Sequence, residues 1–211
     1  MGSPGRSQKK ISWKGRIGHI SSFVPTGAAP ERKLPLLLTL HGSGQSGETY
    51  VAAWKDVAEK EKIVVVGPNS DDSRPLVFAP GRPLSLHDVV DQLAGKQAID
   101  SRRVYLFGHS AGAVFALQMA ALESDYFAAA VAYAGSLQAK CFQPLRLRDP
   151  EDSLSVHHRH ERRVLPARRC QATRDALKSR SFPVEYVEMS GQTHNYVHSA
   201  GDQRESLGVF S

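Results

Sequence analysis

The pentapeptide Gly-His-Ser-Ala-Gly at 108–112 is the feature that most constrains this chain. A largely apolar run at 103–107 precedes it, and an alanine-rich stretch of helical character at 113–122 follows it. A strand, then Gly-x-Ser-x-Gly, then a helix is the context of a nucleophile elbow, a tight turn that exposes the serine hydroxyl. Glycines flank the serine because large side chains would not fit between the strand and the helix. The context predicts that Ser110 is a nucleophile rather than an ordinary turn serine.

A second glycine-rich turn follows the apolar run at 36–40, which is typical of a buried parallel strand. This turn has the sequence His-Gly-Ser-Gly at 41–44. A turn at a strand end can aim a backbone N–H at the acyl oxygen of a substrate, opposite the N–H of the residue after the nucleophile. We therefore expect the backbone N–H groups of Ser43 and Ala111 to form an oxyanion hole.

A histidine follows a strand that the alternating pattern predicts over 182–189, near the edge of the sheet. His194 lies on the loop after this strand, C-terminal to the nucleophile, in the chain order serine, acid, histidine. We interpret His194 as the general base, and His198 is its nearby rival. His41 and His109 are less suited, because each occupies a position where backbone geometry is the more probable requirement.

With these blocks the chain resembles the α/β-hydrolase superfamily. More narrowly, it resembles the small esterases related to poly(3-hydroxybutyrate) depolymerases and feruloyl esterases. The resemblance rests on residues 41–44, 104–112 and 191–196, and it covers roughly residues 16–137 and 171–210. It implies a serine esterase with Ser110 as nucleophile, His194 as base and the N–H groups of Ser43 and Ala111 as oxyanion hole.

Strand and helix patterns alternate along the chain, which predicts a mostly parallel sheet with helices on both faces. The predicted elements include strands at 16–24, 63–66 and 128–133 and helices at 50–62 and 84–99. We expect a flexible basic start over residues 1–15 and a single α/β-hydrolase domain over residues 16–211. No cofactor-binding loop and no cluster of metal ligands is recognisable in the sequence, so we expect neither a cofactor nor a metal.

One segment, at about 140–170, does not fit this pattern. A buried strand is expected there, yet its sequence is rich in Arg, His and Pro and predicts no such strand. The segment carries eight Lys or Arg against four Asp or Glu, and residues 1–16 carry five against none. A basic patch for nucleic acid or membrane is one explanation, although no aromatic interleaving supports it. We favour a second, an altered reading frame, which the coding DNA read in all three frames would test.

The acid of the triad should follow the strand that this segment lacks. Its expected position falls near Arg162, and the nearest carboxylate is Glu161, whereas Asp149 and Asp152 come too early. We therefore predict Glu161 as the acid. The main alternative is an impaired or inactive hydrolase-like protein without an acid, because losing this group costs about 10⁴ in kcat in serine proteases. A peptidase of the same fold is a further alternative.

The composition indicates the cellular compartment of the protein and its relation to membranes. No apolar run approaches the length of about 20 residues that spans a membrane, and no apolar stretch of a secretion signal follows the basic start. Two cysteines, Cys141 and Cys170, suggest a reducing compartment, so we expect a cytoplasmic protein. We expect a small or polymeric ester as its partner, and neither nucleic acid nor membrane. The histidines at 157–160 with Cys170 match no recognisable metal-site spacing.

Overall fold

A computed structural model describes residues 7–13, 16–27, 32–69, 86–137, 155–160 and 167–188. Within these ranges the chain forms an eight-stranded sheet and four helices. The strands are β1 (Ser7–Trp13), β2 (Arg16–Phe23), β3 (Leu34–Leu40), β4 (Val64–Pro68), β5 (Ile99–His109), β6 (Ala129–Tyr133), β7 (Ser155–His160) and β8 (Val184–Glu188). The helices are α1 (Gly47–Glu61), α2 (Leu86–Ala94), α3 (Ala111–Leu122) and α4 (Ala167–Lys178).

The sheet is mostly parallel, as predicted, and its strand order is β1-β2-β4-β3-β5-β6-β7-β8. Only the β1–β2 and β2–β4 pairs are antiparallel among these strands. The carboxyl ends of β3, β5 and β6 meet at one edge, because Leu40 pairs with Gly108 and His109 pairs with Tyr133. The turns that follow these strands are therefore neighbours.

Helices cover both faces of the sheet, which confirms the predicted architecture. Successive strand residues point to opposite faces, so Leu36 and Leu38 join one hydrophobic cluster and Leu37 joins the other. Helix α1 packs on the second face through Tyr50 and Trp54, both fully buried. The other three helices contribute to the first face. Burial on both faces explains why the central strands are almost wholly apolar.

Helix α1 is fixed at both ends. It begins after Ser46, whose side-chain oxygen accepts a hydrogen bond from the backbone N–H of Thr49. It ends at Glu61, and the next residue, Lys62, caps it in the left-handed conformation with φ 55°. The carboxylate of Glu59 accepts hydrogen bonds from Lys62 at 2.8 Å and from the backbone N–H of Thr26 at 3.0 Å. These bonds join the last turn of α1 to the loop after β2.

Helix α2 is shorter than the helix predicted over 84–99. It ends at Ala94, and the N–H of Gly95 bonds back to the carbonyl of Asp91 at 3.0 Å. Ile99, which the helical pattern included, begins β5 and pairs with Leu34 of β3. The apolar spacing alone could not separate the end of the helix from the start of a strand that is also buried.

Two expectations about the chain differ from the structure. Residues 1–15 were expected to be flexible, but Ser7–Trp13 forms β1 and pairs along its whole length with β2. The expectation of no strand within 140–170 was wrong, because Ser155–His160 forms β7 between β6 and β8. A strand inside a sheet is held by backbone hydrogen bonds to both neighbours, so tertiary context can override a side-chain pattern that is unfavourable for a strand.

Candidate active site

The turn between β5 and α3 places Ser110 at the carboxyl edge of the sheet. Ser110 has φ 54° and ψ −113°, a conformation that costs a non-glycine residue about 1–3 kcal/mol. Its hydroxyl makes no capping hydrogen bond to α3, and the residue is partly exposed. Gly108 and Gly112 permit this turn, since a Cβ on Gly108 would lie 2.5 Å from the carbonyl carbon of Gly112. The glycines thus have the steric role that the sequence predicted.

The start of α3 presses against the end of β3. A Cβ on Gly112 would lie 2.5 Å from the carbonyl carbon of Leu40 and 2.7 Å from the carbonyl oxygen of His41. This close approach brings the first turn of the helix beside the turn at 41–44. A Cβ on Gly42 would lie 3.3 Å from the Cβ of Ser110. The two turns that the sequence singled out are therefore in contact.

Hydrogen bonds at the carbonyl of Gly42 orient the turn after β3. This oxygen accepts the Nδ1–H of His41 at 2.8 Å and the backbone N–H of Gln45 at 3.2 Å. The second bond closes a four-residue turn with Gly44 at φ +74°, the value that a type II turn requires at its third residue. In a trans peptide the N–H points opposite to the carbonyl. The N–H of Ser43 is therefore turned away from the two groups that hold Gly42.

The backbone around Ser110 is fixed in the same way. Its N–H donates to the carbonyl of Tyr133 at 2.9 Å, and its carbonyl accepts the N–H groups of Ala113 and Val114 at 3.1 and 3.2 Å. Ala111 is the first residue of α3, so its N–H belongs to the four that have no acceptor within the helix. The positive end of the helix dipole adds to the attraction for a negative oxygen at this point.

A buried polar cluster lies beside the two turns, and sequence reasoning missed it. The Tyr50 hydroxyl lies 2.5 Å from Nδ1 of His109 and 2.7 Å from Oε1 of Gln45. Nδ1 of His109 is also 3.1 Å from the same Gln45 oxygen. The helical pattern predicted only that Tyr50 belongs to the apolar face of α1. A buried tyrosine hydroxyl needs a hydrogen-bond partner, and that requirement was the available signal.

His41 is the other buried histidine near the turns, with 2% of its surface exposed. Its Nδ1 donates to the Gly42 carbonyl, so the expectation that this residue serves backbone geometry agrees with the structure. In the part of the chain that is described, its Nε2 has no hydrogen-bond partner. His109 likewise uses its Nδ1 within the polar cluster.

Of the predicted site residues, Ser43, Ser110 and Ala111 lie at adjoining turns. His194, its rival His198 and the predicted acid Glu161 lie outside the described residues, as do the side chains of the histidines at 157–160. Within the described ranges no group of His, Cys, Asp or Glu is arranged to hold a metal ion. No helix in those ranges is long and apolar enough to cross a membrane.

Comparisons with known proteins bear on the fold. The prolyl oligopeptidase family matches residues 86–145, which include β5, the Ser110 turn and α3. A fluorophosphonate-binding serine hydrolase of Staphylococcus aureus superposes with a TM-score of 0.76 over 100% of both chains, at 17% identity. The chain has the α/β-hydrolase fold. A ferulic acid esterase of this fold also superposes with a TM-score of 0.76 over 98% of each chain, at 17% identity.

One curated relative is similar in sequence as well. Poly(3-hydroxyalkanoate) depolymerase C of Paucimonas lemoignei is 32% identical over 130 residues, which are 56% of this chain and 30% of the depolymerase. The chain thus spans less than a third of the length of that relative.

Proposed function

We propose that this chain is a serine hydrolase that cleaves carboxylic esters through an acyl-enzyme. The observation that carries the proposal is the strained Ser110 turn at the start of α3, in contact with the turn at 41–44. A costly backbone conformation at a partly exposed serine is typical of a functional turn. The same arrangement supports a nucleophile elbow, with the hydroxyl presented at the tip.

The proposed reaction has two steps. Ser110 Oγ attacks the acyl carbon as His194 takes its proton, and the backbone N–H groups of Ser43 and Ala111 donate to the oxyanion. His194 then gives the proton to the leaving alcohol, and the acyl group remains on Ser110. Water, deprotonated by His194, attacks the acyl-enzyme, and His194 returns the proton to Ser110 Oγ as its bond to the acyl group breaks and the acid leaves. The fixed Gly42 carbonyl supports this role for Ser43, because it sets the direction of the adjoining N–H.

Strand β7 strengthens the proposal that Glu161 is the triad acid. Glu161 follows the last residue of β7 directly in the sequence, and His194 follows β8. Both strands are parallel to β5, so their carboxyl ends lie at the edge where Ser110 lies. The acid would hold the His194 imidazole in the required tautomer and stabilise its protonated form. A chain with this acid is an active hydrolase rather than an impaired one.

An ester, small or polymeric, is the substrate class that the relatives favour. The depolymerase is named for a polyester, and the ferulic acid esterase is named for an ester of an aromatic acid. The prolyl oligopeptidase match keeps a peptidase as the second candidate, but it covers only the segment around the Ser110 turn. Fold alone does not choose between esters and amides, and the sequence similarity to the depolymerase favours esters.

We also propose a cytoplasmic location, and a single hydrolase domain that includes β1 and therefore starts before residue 16. The buried thiol of Cys170 has its pKa raised to about 11, mainly by burial, so it is a poor nucleophile for disulfide exchange. The low cysteine content, with only Cys141 and Cys170 in 211 residues, suits a reducing compartment. Cell fractionation with detection of the full chain tests the location, and recovery of the chain from an extracellular fraction would contradict it.

Hydrolysis of p-nitrophenyl acetate and butyrate tests the function, with Ser110→Ala as the control. We expect turnover that Ser110→Ala abolishes, together with loss of covalent labelling by a fluorophosphonate. Glu161→Gln should lower kcat by up to about 10⁴ if it removes the acid. Turnover of a peptide but not of either ester would favour the peptidase. A folded chain that hydrolyses neither would favour the impaired alternative.

A further inference from the structure

We propose that Tyr50 is a positioning residue that sets the spacing between the two oxyanion donors. The inference rests on the proposed esterase function. The Tyr50 hydroxyl touches both segments that carry the donors, namely Gln45, whose N–H closes the turn that starts at Gly42, and His109, directly before Ser110.

The proton positions follow from the number of donors that each group has. A phenol carries one proton, and the Tyr50 hydroxyl donates it to Oε1 of Gln45 at 2.7 Å. The contact of 2.5 Å to His109 must then be donated by Nδ1–H of the imidazole. The backbone of Gly42 also hydrogen-bonds to the Tyr50 oxygen. The hydroxyl thus uses its proton and its lone pairs on three different anchors.

These anchors surround the proposed donors on both sides. Gly42 and Gln45 flank Ser43 within one closed turn, and His109 is adjacent to Ser110, which precedes the second donor at Ala111. The rigid phenol therefore acts as a spacer between two backbone segments, the turn that follows β3 and the end of β5. An oxyanion hole requires both N–H groups within about 2.7–3.1 Å of one oxygen position, so this spacing decides how well it works.

The surroundings of Tyr50 make the spacer stiff. The side chain is fully buried, and its ring packs 6.1 Å from the Phe107 ring and 6.0 Å from the His109 ring. Burial raises the pKa of the hydroxyl, so it stays a neutral donor over the working range of the enzyme. The bond between Tyr50 and His109 is costly to break, because His109 is 2% exposed and its ring nitrogen would be left without access to water.

Tyr50→Phe removes the hydroxyl and keeps the ring. Loss of one complete oxyanion donor costs about 10²–10³ in kcat, so displacement of a donor should cost about 10–10². We expect kcat and kcat/KM for p-nitrophenyl butyrate to fall together by this factor. The Ki of phenylboronic acid, which forms a tetrahedral adduct with the nucleophile, should rise by a similar factor, because this adduct resembles the transition state.

The matched control is Tyr105→Phe. Tyr105 lies in the same hydrophobic cluster as Tyr50, is 8% exposed and is on β5 away from the Ser110 turn. A role of the hydroxyl in stability alone would lower the melting temperature of the Tyr50 variant but would leave kcat and the boronate Ki at wild-type values. We expect the Tyr105 variant to keep both values, and the Tyr50 variant to change both while it stays folded.

A second variant covers the case in which Tyr50→Phe does not fold. Gln45→Met removes the amide from a partly exposed turn residue, and it should lower kcat and weaken boronate binding in the same proportion. Wild-type values of both constants in either folded variant overturn the inference and leave the esterase function intact. Absence of Ser110-dependent hydrolysis in the wild-type protein overturns both.

Discussion

Gly112→Ala offers a direct test of how closely α3 approaches β3. The new methyl group would lie 2.5 Å from the Leu40 carbonyl carbon, 2.7 Å from the His41 oxygen and closer still to the Leu40 oxygen. Real Cβ atoms essentially never approach other atoms within 3.0 Å, and the Leu40 oxygen would lie about 1 Å inside that limit, so the helix or the strand must move by about 1 Å. The atoms in the way belong to the backbone and cannot rotate aside.

This shift should lower both the free energy of unfolding and the catalytic efficiency. Overpacking of a tight core costs about 1–3 kcal/mol, and here the strain falls on a backbone that also carries the proposed oxyanion turn. With an m value of about 2 kcal/mol per M, a loss of about 2 kcal/mol lowers the midpoint of urea unfolding by about 1 M. The move of α3 relative to β3 should also lower kcat/KM by about 10²-fold, since catalysis depends on such positions to within about 1 Å.

The control is Gly95→Ala, at the end of α2. A Cβ there meets its nearest neighbours at 3.6 and 3.9 Å, which is ordinary contact, and no left-handed φ opposes it. We expect the unfolding midpoint of this variant to equal or exceed the wild-type value, because alanine reduces the entropy of the unfolded chain. Urea unfolding is measured by circular dichroism. Equal midpoints for Gly112→Ala and the wild-type protein would refute the close approach.

Two further predictions concern strain and charge. Ser110→Gly should be more stable than Ser110→Ala by about 1 kcal/mol, because only glycine adopts φ 54° without strain; identical urea midpoints for the two inactive variants would contradict this. Hydrogen bonds lower the pKa of Glu59 from 4.5 to about 2, and the bond from Lys62 contributes more than those from Thr26. The carboxylate therefore stabilises the fold above pH 4.5 and loses this effect as the pH falls toward 2. Glu59→Gln should flatten the dependence of the melting temperature on pH in that window. Plots of melting temperature against pH that run parallel for the variant and the wild-type protein would contradict the assignment.

Local signals explain which parts of the fold the sequence predicted. The strands β3, β4 and β6 are short apolar runs, and each is buried on both faces as such runs require. The Ser110 turn was predictable because Gly108 serves a contact between β5 and α3, which follow each other directly in the chain. Ser43 and Ala111 followed from the positions of these two turns rather than from any property of their side chains.

The remaining features depend on contacts that no local pattern encodes. Strand β7 was missed because its sequence, Ser-Val-His-His-Arg-His, lacks an apolar pattern, and only pairing with β6 and β8 reveals it. The apolar spacing of α1 identified Tyr50 as buried but gave no information on its hydroxyl. That hydroxyl meets His109, which is 59 positions away in the chain. A partner at such a distance becomes visible only when β5 and α1 are packed together.

The order of the strands has a consequence for where a ligand can enter. After β3 the chain places β4 on one side of it, and then returns to place β5 on the other side. Helix α1, which follows β3, therefore covers one face of the sheet, and α3, which follows β5, covers the opposite face. Connections that leave neighbouring strands in opposite directions open a crevice at this topological switch point. The position of the crevice is thus a property of connectivity, and loops around it can change length to admit different acyl groups without moving it.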